Sequence, residues 1–112
     1  MAYMNQFSVS NGTTDVTILA APAASTTRTI PAGGITIANI DTVTVLVTLQ
    51  ILDNATDREL YPVIEILPDD IWTNQKSIHC LDATDQVLQI YLAGAVTTNE
   101  IDVSVVYRDE AQ

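Results

Sequence analysis

Basic residues are scarce in this sequence: four Lys and Arg residues stand against fourteen Asp and Glu residues, for a net charge of −10. A surface of that sign repels the phosphates of nucleic acids and of anionic membranes, so we expect direct binding to neither. The apolar runs fall far short of the ~20 residues of a membrane helix. Residues 1–10 contain no basic segment followed by an apolar run, so no signal peptide is expected. These absences predict a soluble protein made in the cytoplasm.

Cysteine and histidine are each present once, as Cys80 and His79. A single Cys excludes an intrachain disulfide, and no Cys/His cluster is present for zinc. The two residues are adjacent on an expected strand, so their side chains point to opposite faces and do not form a nucleophile–base pair. We expect Cys80 to pack in the core and His79 to face solvent or an interface. The prediction is a non-enzymatic protein without metal, cofactor or small-molecule substrate.

Acidic residues occur as pairs in expected loops, and two interpretations of them stay open. Calcium prefers oxygen ligands, so such loops are candidate Ca²⁺ sites, although the 53–57 loop lacks the ligand spacing, the Gly and the distal Glu of an EF-hand. Asp is also common in solvated turns, where it bonds to nearby backbone groups, and this is the interpretation we favour. The pairs are Asp53 with Asp57, Asp69 with Asp70, and Asp82 with Asp85.

Branched side chains dominate the composition: 15 Thr, 12 Ile and 11 Val make up 38 of the 112 residues. They favour strands over helices. Thr42–Leu52 alternates strictly between a Val/Leu/Ile face and a mostly hydroxyl face, as a half-buried strand does. Arg58–Leu67 alternates as well, and Pro62 within it predicts an edge strand or a bulge. The expected core comprises Val45, Val47, Leu49, Ile64, Ile66, Leu88, Ile90, Val103 and Val105.

Eight or nine short strands with turn signals between them predict an all-β fold, an antiparallel β-sandwich with a jelly-roll-like arrangement. We expect residues 13–112 to form this single domain and residues 1–12 to form an N-terminal arm with three large apolar side chains. Trp72 lies where a loop meets a strand, and there it either closes an open end of the core or stacks on a sugar. The expected interface residues are Tyr3, Met4, Phe7, Pro62 and Trp72.

Three stretches resemble segments of small structural proteins from tailed-bacteriophage virions. Residues 18–30 (ILAAPAASTTRTI) resemble an opening that recurs in those proteins, and residues 37–47 (IANIDTVTVLV) resemble the pair of strands that follows it. Residues 81–90 (LDATDQVLQI) are similar too, as are residues 92–95 and 107–109. The resemblance extends over residues 15–109 and is one of strands and turns, so it implies a β-sandwich or jelly-roll virion component and transfers no functional residue.

Size and shape favour one member of that class, a capsid decoration (cement) protein. Such proteins are small, non-enzymatic and commonly trimeric, whereas fibres are more often long and repetitive. We therefore expect a homotrimer that binds the major capsid protein and stabilises the head, located in the virion after synthesis in the bacterial host. The alternative is a tail, fibre or head-completion component with a sugar- or receptor-binding role.

Overall fold

The computed structural model describes residues 3–94 and 101–112, and this part of the chain is all-β, without a helix. Ten strands form two antiparallel sheets around one core, in a β-sandwich-like arrangement. The all-β, antiparallel prediction is confirmed, while the jelly-roll connectivity stays a prediction. The strands are β1 (Met4–Ser10), β2 (Val16–Leu19), β3 (Thr26–Ile30), β4 (Ile35–Asn39), β5 (Val45–Asp53), β6 (Thr56–Ile66), β7 (Ile71–Thr73), β8 (His79–Leu81), β9 (Gln86–Leu92) and β10 (Ile101–Ala111).

The longest strand of the first sheet, β10, pairs with three other strands. Its residues 101–105 pair with β4 and its residues 108–111 with β3. Residues 101–107 also pair with β1. Because one stretch of β10 pairs with both β1 and β4, these two strands flank β10 on opposite sides. β7 extends the sheet beyond β4, and β8 extends it beyond β3, so β1 and β7 lie at opposite edges.

The second sheet has the order β2-β9-β5-β6, which places β6 at an edge. A two-residue turn joins β5 to β6, with positive φ angles of 48° at Asn54 and 67° at Ala55, as in the tight turns of hairpins. The register between β5 and β6 shifts near Pro62, where the Thr48 hydroxyl donates a 2.6 Å hydrogen bond to the Pro62 carbonyl oxygen. Both the edge position and the bulge predicted from Pro62 are confirmed.

The core lies between the sheets and consists of Ile, Leu and Val side chains from eight strands. All nine expected core residues are buried, and Val47, Leu49, Leu88, Ile90 and Val105 have no exposed surface. Strict alternation along β5, β9 and β10 explains this agreement, because residues two apart on a strand share a face.

Two buried amide side chains bind the backbone of loops at the edge of the core. Asn74 Oδ1 accepts a 2.8 Å hydrogen bond from the Ile35 N–H, and its Nδ2 donates to the carbonyl oxygens of Pro31 and Ser77. Asn39 Nδ2 donates to the Ile66 carbonyl oxygen at 2.9 Å and so connects the two sheets. Each amide therefore satisfies backbone groups that would otherwise be buried without partners.

Two local expectations differ from the structure. The segment expected to be an irregular arm is mostly strand, since residues 4–10 form β1 and pair with β10. The faces of β8 are also the reverse of those expected. Cys80 is exposed, and His79 is half-buried and points between the sheets towards Tyr61. Leu81, which has no exposed surface, shares the inner face with His79 and fixes this orientation.

Candidate functional site

Strand β1 has two apolar side chains, Phe7 and Val9, on the solvent side of the sheet. Gln6, Ser8 and Ser10 lie opposite core residues of β10 and point inward. Phe7 and Val9 point outward and are 75% and 49% exposed. A solvated strand ordinarily has the reverse pattern, apolar in and polar out. The outward face of β1 therefore has the pattern of a strand that a further surface covers.

The neighbouring strands continue this apolar surface across the sheet. Val9 lies opposite Asp102, Asp102 opposite Ala38, and Ala38 opposite Ile71, which is 61% exposed. The small side chains between the larger ones leave an open groove of about 540 Å³ along Phe7. Asp102 is the one charged residue among those that line the groove. We call Phe7, Val9, Ala38 and Ile71 the outer patch.

The free edge of β1 is also uncharged. Its seven residues, MNQFSVS, contain no acid, base, proline or glycine. In residues 3–94 and 101–112, β10 is the strand that pairs with β1, and no other strand pairs with it; after β2, the Ala20 N–H donates a 3.4 Å hydrogen bond to Oε1 of the inward-facing Gln6. Such an edge presents unpaired N–H and C=O groups, and proteins commonly protect it with Lys, Pro or a bulge. β1 has none of these protections.

The expected interface residues fall into two groups at opposite edges of the molecule. Met4 and Phe7 are on β1 and Tyr3 precedes it, where the Arg108 guanidinium lies 5.5 Å from the Tyr3 ring centre. Pro62 is on β6 and Trp72 on β7, at the edge away from β1. These five residues therefore do not form one continuous site. Val9 and Ile71 were not among them, although both are exposed apolar residues on the outer patch.

An aromatic cluster bridges the two sheets at that other edge. The Tyr61 ring lies edge-on to both Trp72 and His79, with ring centres 4.8 Å and 5.6 Å apart. The Tyr61 hydroxyl and His79 Nε2 are 2.9 Å apart. Burial lowers the pKa of His79 below its ordinary value of 6.5, because a low-dielectric surrounding disfavours the charged imidazolium. Beside the cluster, Trp72, Gln75 and Lys76 line a second groove of about 430 Å³, which we call the aromatic groove.

The acidic loops lie near basic and amide groups. Arg58 Nε is 2.9 Å from a carboxylate oxygen of Asp53, and Gln86 Nε2 donates to the other oxygen at 3.3 Å. Hydrogen bonds from Arg58 and then Gln86 lower the pKa of Asp53 below its ordinary value of 3.8. Within the described ranges, 3–94 and 101–112, no three His, Cys, Asp or Glu side chains lie close enough to hold a metal ion.

Comparisons of the chain with protein-family models, curated proteins and solved structures find no match. In the described part of the chain, no helix has the length and apolar character needed to span a membrane. The geometry of the outer patch, the β1 edge and the aromatic groove is therefore the basis for assigning a function.

Proposed function

We propose that this protein is a non-enzymatic structural component of a tailed-bacteriophage virion, a capsid decoration protein that stabilises the head. The observation that supports this best is the outward apolar face of β1, with Phe7 75% exposed. Exposed apolar side chains grouped on one face are typical of a protein–protein contact surface. The resemblance of residues 15–109 to small virion proteins supports the choice of a virion as the assembly.

The outer patch suits a broad, shallow contact rather than a ligand pocket. It has residues on β1, β4 and β7, with Asp102 of β10 between Val9 and Ala38, and the groove along Phe7 is open to solvent. Large side chains beside small ones offer both protrusions and recesses, and a partner surface can fill the recesses. In this proposal the major capsid protein binds the outer patch.

Self-assembly into homotrimers is a second part of the proposal. A threefold contact joins two different patches on neighbouring copies. The edges of the second sheet, β2 and β6, and the edge at β7 and β8 offer such a pair of patches without using β1. Light scattering of the purified protein would then give about three times the 12.1 kDa chain mass, or about six times where a further contact through β1 joins two trimers.

Immunogold labelling of virions tests the proposed location directly. Antibodies raised against the purified protein should label heads of particles from the phage that encodes it. Labelling of tails would instead favour a tail component, and absence of the protein from washed particles would contradict a virion function. Substituting Phe7→Ser and Ile71→Ser together should abolish incorporation, while Asp85→Ser, in an exposed loop outside the outer patch, should leave it unchanged.

The aromatic groove favours a second candidate function, a sugar- or receptor-binding role on a tail or fibre. Trp72 and Tyr61 present aromatic surface beside Gln75, Lys76 and Ser77, and polar groups around an aromatic face are typical of sugar sites. A glycan array should then show binding that Trp72→Ala removes. Phe7→Ser is the matched control, since it lies at the opposite edge and should leave glycan binding intact.

A further inference from the structure

The β1 edge has a sequence that pairs well with itself. In an antiparallel pair related by a twofold axis through Phe7, residues 4–10 of one copy lie opposite residues 10–4 of the other. Phe7 then faces Phe7 of the second copy, Asn5 faces Val9, and Gln6 faces Ser8. Aromatic pairs directly opposite each other stabilise antiparallel strands. Each pair also joins residues of the same face, so both outer patches stay on one side of the joined sheet.

Electric charge favours a second copy over a basic partner at this edge. The chain has a net charge of −10, and a basic protein would be attracted to its acidic loops. The seven residues of β1 contribute no charge, and every position in the twofold pairing joins neutral side chains. Two copies that meet here therefore bring no like charges into direct contact. Because each chain has a net charge of −10, an uncharged contact surface favours self-association.

We propose that two copies of this chain pair along β1, in the antiparallel register centred on Phe7, and so form one continuous sheet across both molecules. The main-chain hydrogen bonds of the two edges supply the contact, as when an added strand extends a sheet. The dimer doubles the outer patch and aligns both patches towards one surface. This inference deepens the proposed self-assembly, but it concerns the purified protein and does not depend on a location in the virion.

Disulfide trapping tests the register. In a Cys80→Ser background, which removes the exposed native thiol, Phe7→Cys should form a disulfide-linked dimer of twice 12.1 kDa under mild oxidation. Directly opposed Cα atoms lie within the ~4.4–6.8 Å that a disulfide spans. Asn5→Cys is the matched control on the same strand face. Its two copies are displaced by about 13 Å along the strands, at ~3.3 Å per residue, and should not cross-link.

A second arm of the experiment keeps the Phe7 pair intact. Asn5→Cys and Val9→Cys proteins, each in the Cys80→Ser background, should cross-link efficiently when mixed and at least tenfold less when oxidised separately. Circular dichroism and melting first establish that every variant is folded. Equal cross-linking of all single variants would indicate random collision and overturn the proposal, as would the absence of cross-links in both Phe7→Cys and the mixture.

Salt dependence separates this dimer from a contact driven by charge. Raising the salt from about 50 mM to about 500 mM screens the repulsion between two chains of like net charge. The dissociation constant measured by sedimentation should therefore fall several-fold. Weakening by salt would show that attraction between opposite charges holds the copies together, and would contradict a contact through the uncharged β1 edge. Cross-linking without labelling of virions would leave the dimer established and reject only the proposed location.

Discussion

The Tyr61 hydroxyl lies 2.9 Å from Nε2 of His79 and connects the edge strand of one sheet to the edge of the other. Tyr61 is on β6 and His79 on β8. Together with Trp72, they close one side of the core. The contact places the chain's single imidazole in a half-buried position, where protonation and stability are coupled.

The His79 contact predicts a loss of stability in mild acid. Burial lowers the folded-state pKa of His79 below 6.5, so the unfolded chain binds the proton first as the pH falls. The contribution of neutral His79 is fully present above about 6.5 and is lost as the pH falls through the folded pKa. The melting temperature should fall between about pH 7.5 and pH 5.5, a range above the titration of Asp53, whose pKa lies below 3.8. In His79→Gln, which has no titrating ring, the fall should be smaller; an identical slope would refute this assignment.

A charge placed in the core should unfold the domain. Val47 has no exposed surface, and an unpaired buried carboxylate costs several kcal/mol against a typical stability of roughly 5–15 kcal/mol. Val47→Asp should therefore abolish cooperative melting by circular dichroism. Val63→Asp makes the same substitution at a residue that is 67% exposed, and it should melt close to the wild type. Native melting of Val47→Asp would contradict the orientation of β5.

Removing the Asn74 amide should weaken the loop between β7 and β8. The buried Ile35 N–H would lose its acceptor, and an unsatisfied buried donor costs about 1–3 kcal/mol. Asn74→Ala should lower the unfolding free energy by about that amount in a urea titration. The adjacent Gln75 is exposed, so Gln75→Ala is the matched control and should change little. Equal effects of the two variants would mean that the amide does not hold the loop.

A glycine at the tip of the β5–β6 hairpin should stabilise the protein. Ala55 has a φ of 67°, a conformation that costs a residue with a Cβ roughly 1–2 kcal/mol. Glycine avoids this cost but loses more backbone entropy on folding, so Ala55→Gly should gain about 0.5–1 kcal/mol. Ala83 has no positive φ, and Ala83→Gly should be neutral or destabilising. Measured by urea titration, a stability loss in Ala55→Gly would argue against the two-residue turn.

The sequence predicts the β5–β6 hairpin and the core well because there the alternation is regular and long. Four aliphatic residues on one face of β5, Val45, Val47, Leu49 and Ile51, determine the register, and Pro62 identifies the edge. The alternation and the proline are both local features of the chain, so a single sequence is sufficient to recognise them. The start of the strand differs from the prediction, because β5 begins at Val45, three residues later than the alternation indicates.

The sequence fails to predict strand β1, and it predicts strand β8 with its two faces reversed; in both places polarity and burial disagree. Gln6, Ser8 and Ser10 face inward on β1, so the usual rule of apolar side chains inside gives no strand there. Phe7 and Val9 alternate with these polar residues, and this period of two is the sequence pattern that indicates a strand here. On β8, the usual preference of Cys for burial predicts that Cys80 faces the core. Leu81 is buried instead, and because neighbouring residues on a strand face opposite sides, Cys80 faces solvent.

Strand β10 must be present before β1 can be ordered as part of the sheet. Only β5 and β6 are both consecutive in the described chain and paired with each other, so this hairpin is the one pairing that needs no distant segment. β3 and β4 also pair with β8 and β7, whereas β1 pairs only with β10, about a hundred residues away, among the described residues. Pairings of such sequence separation form slowly. A nascent chain therefore lacks the partner strand of β1, and the β10 strand between β1 and β4, until Ile101–Ala111 has been made.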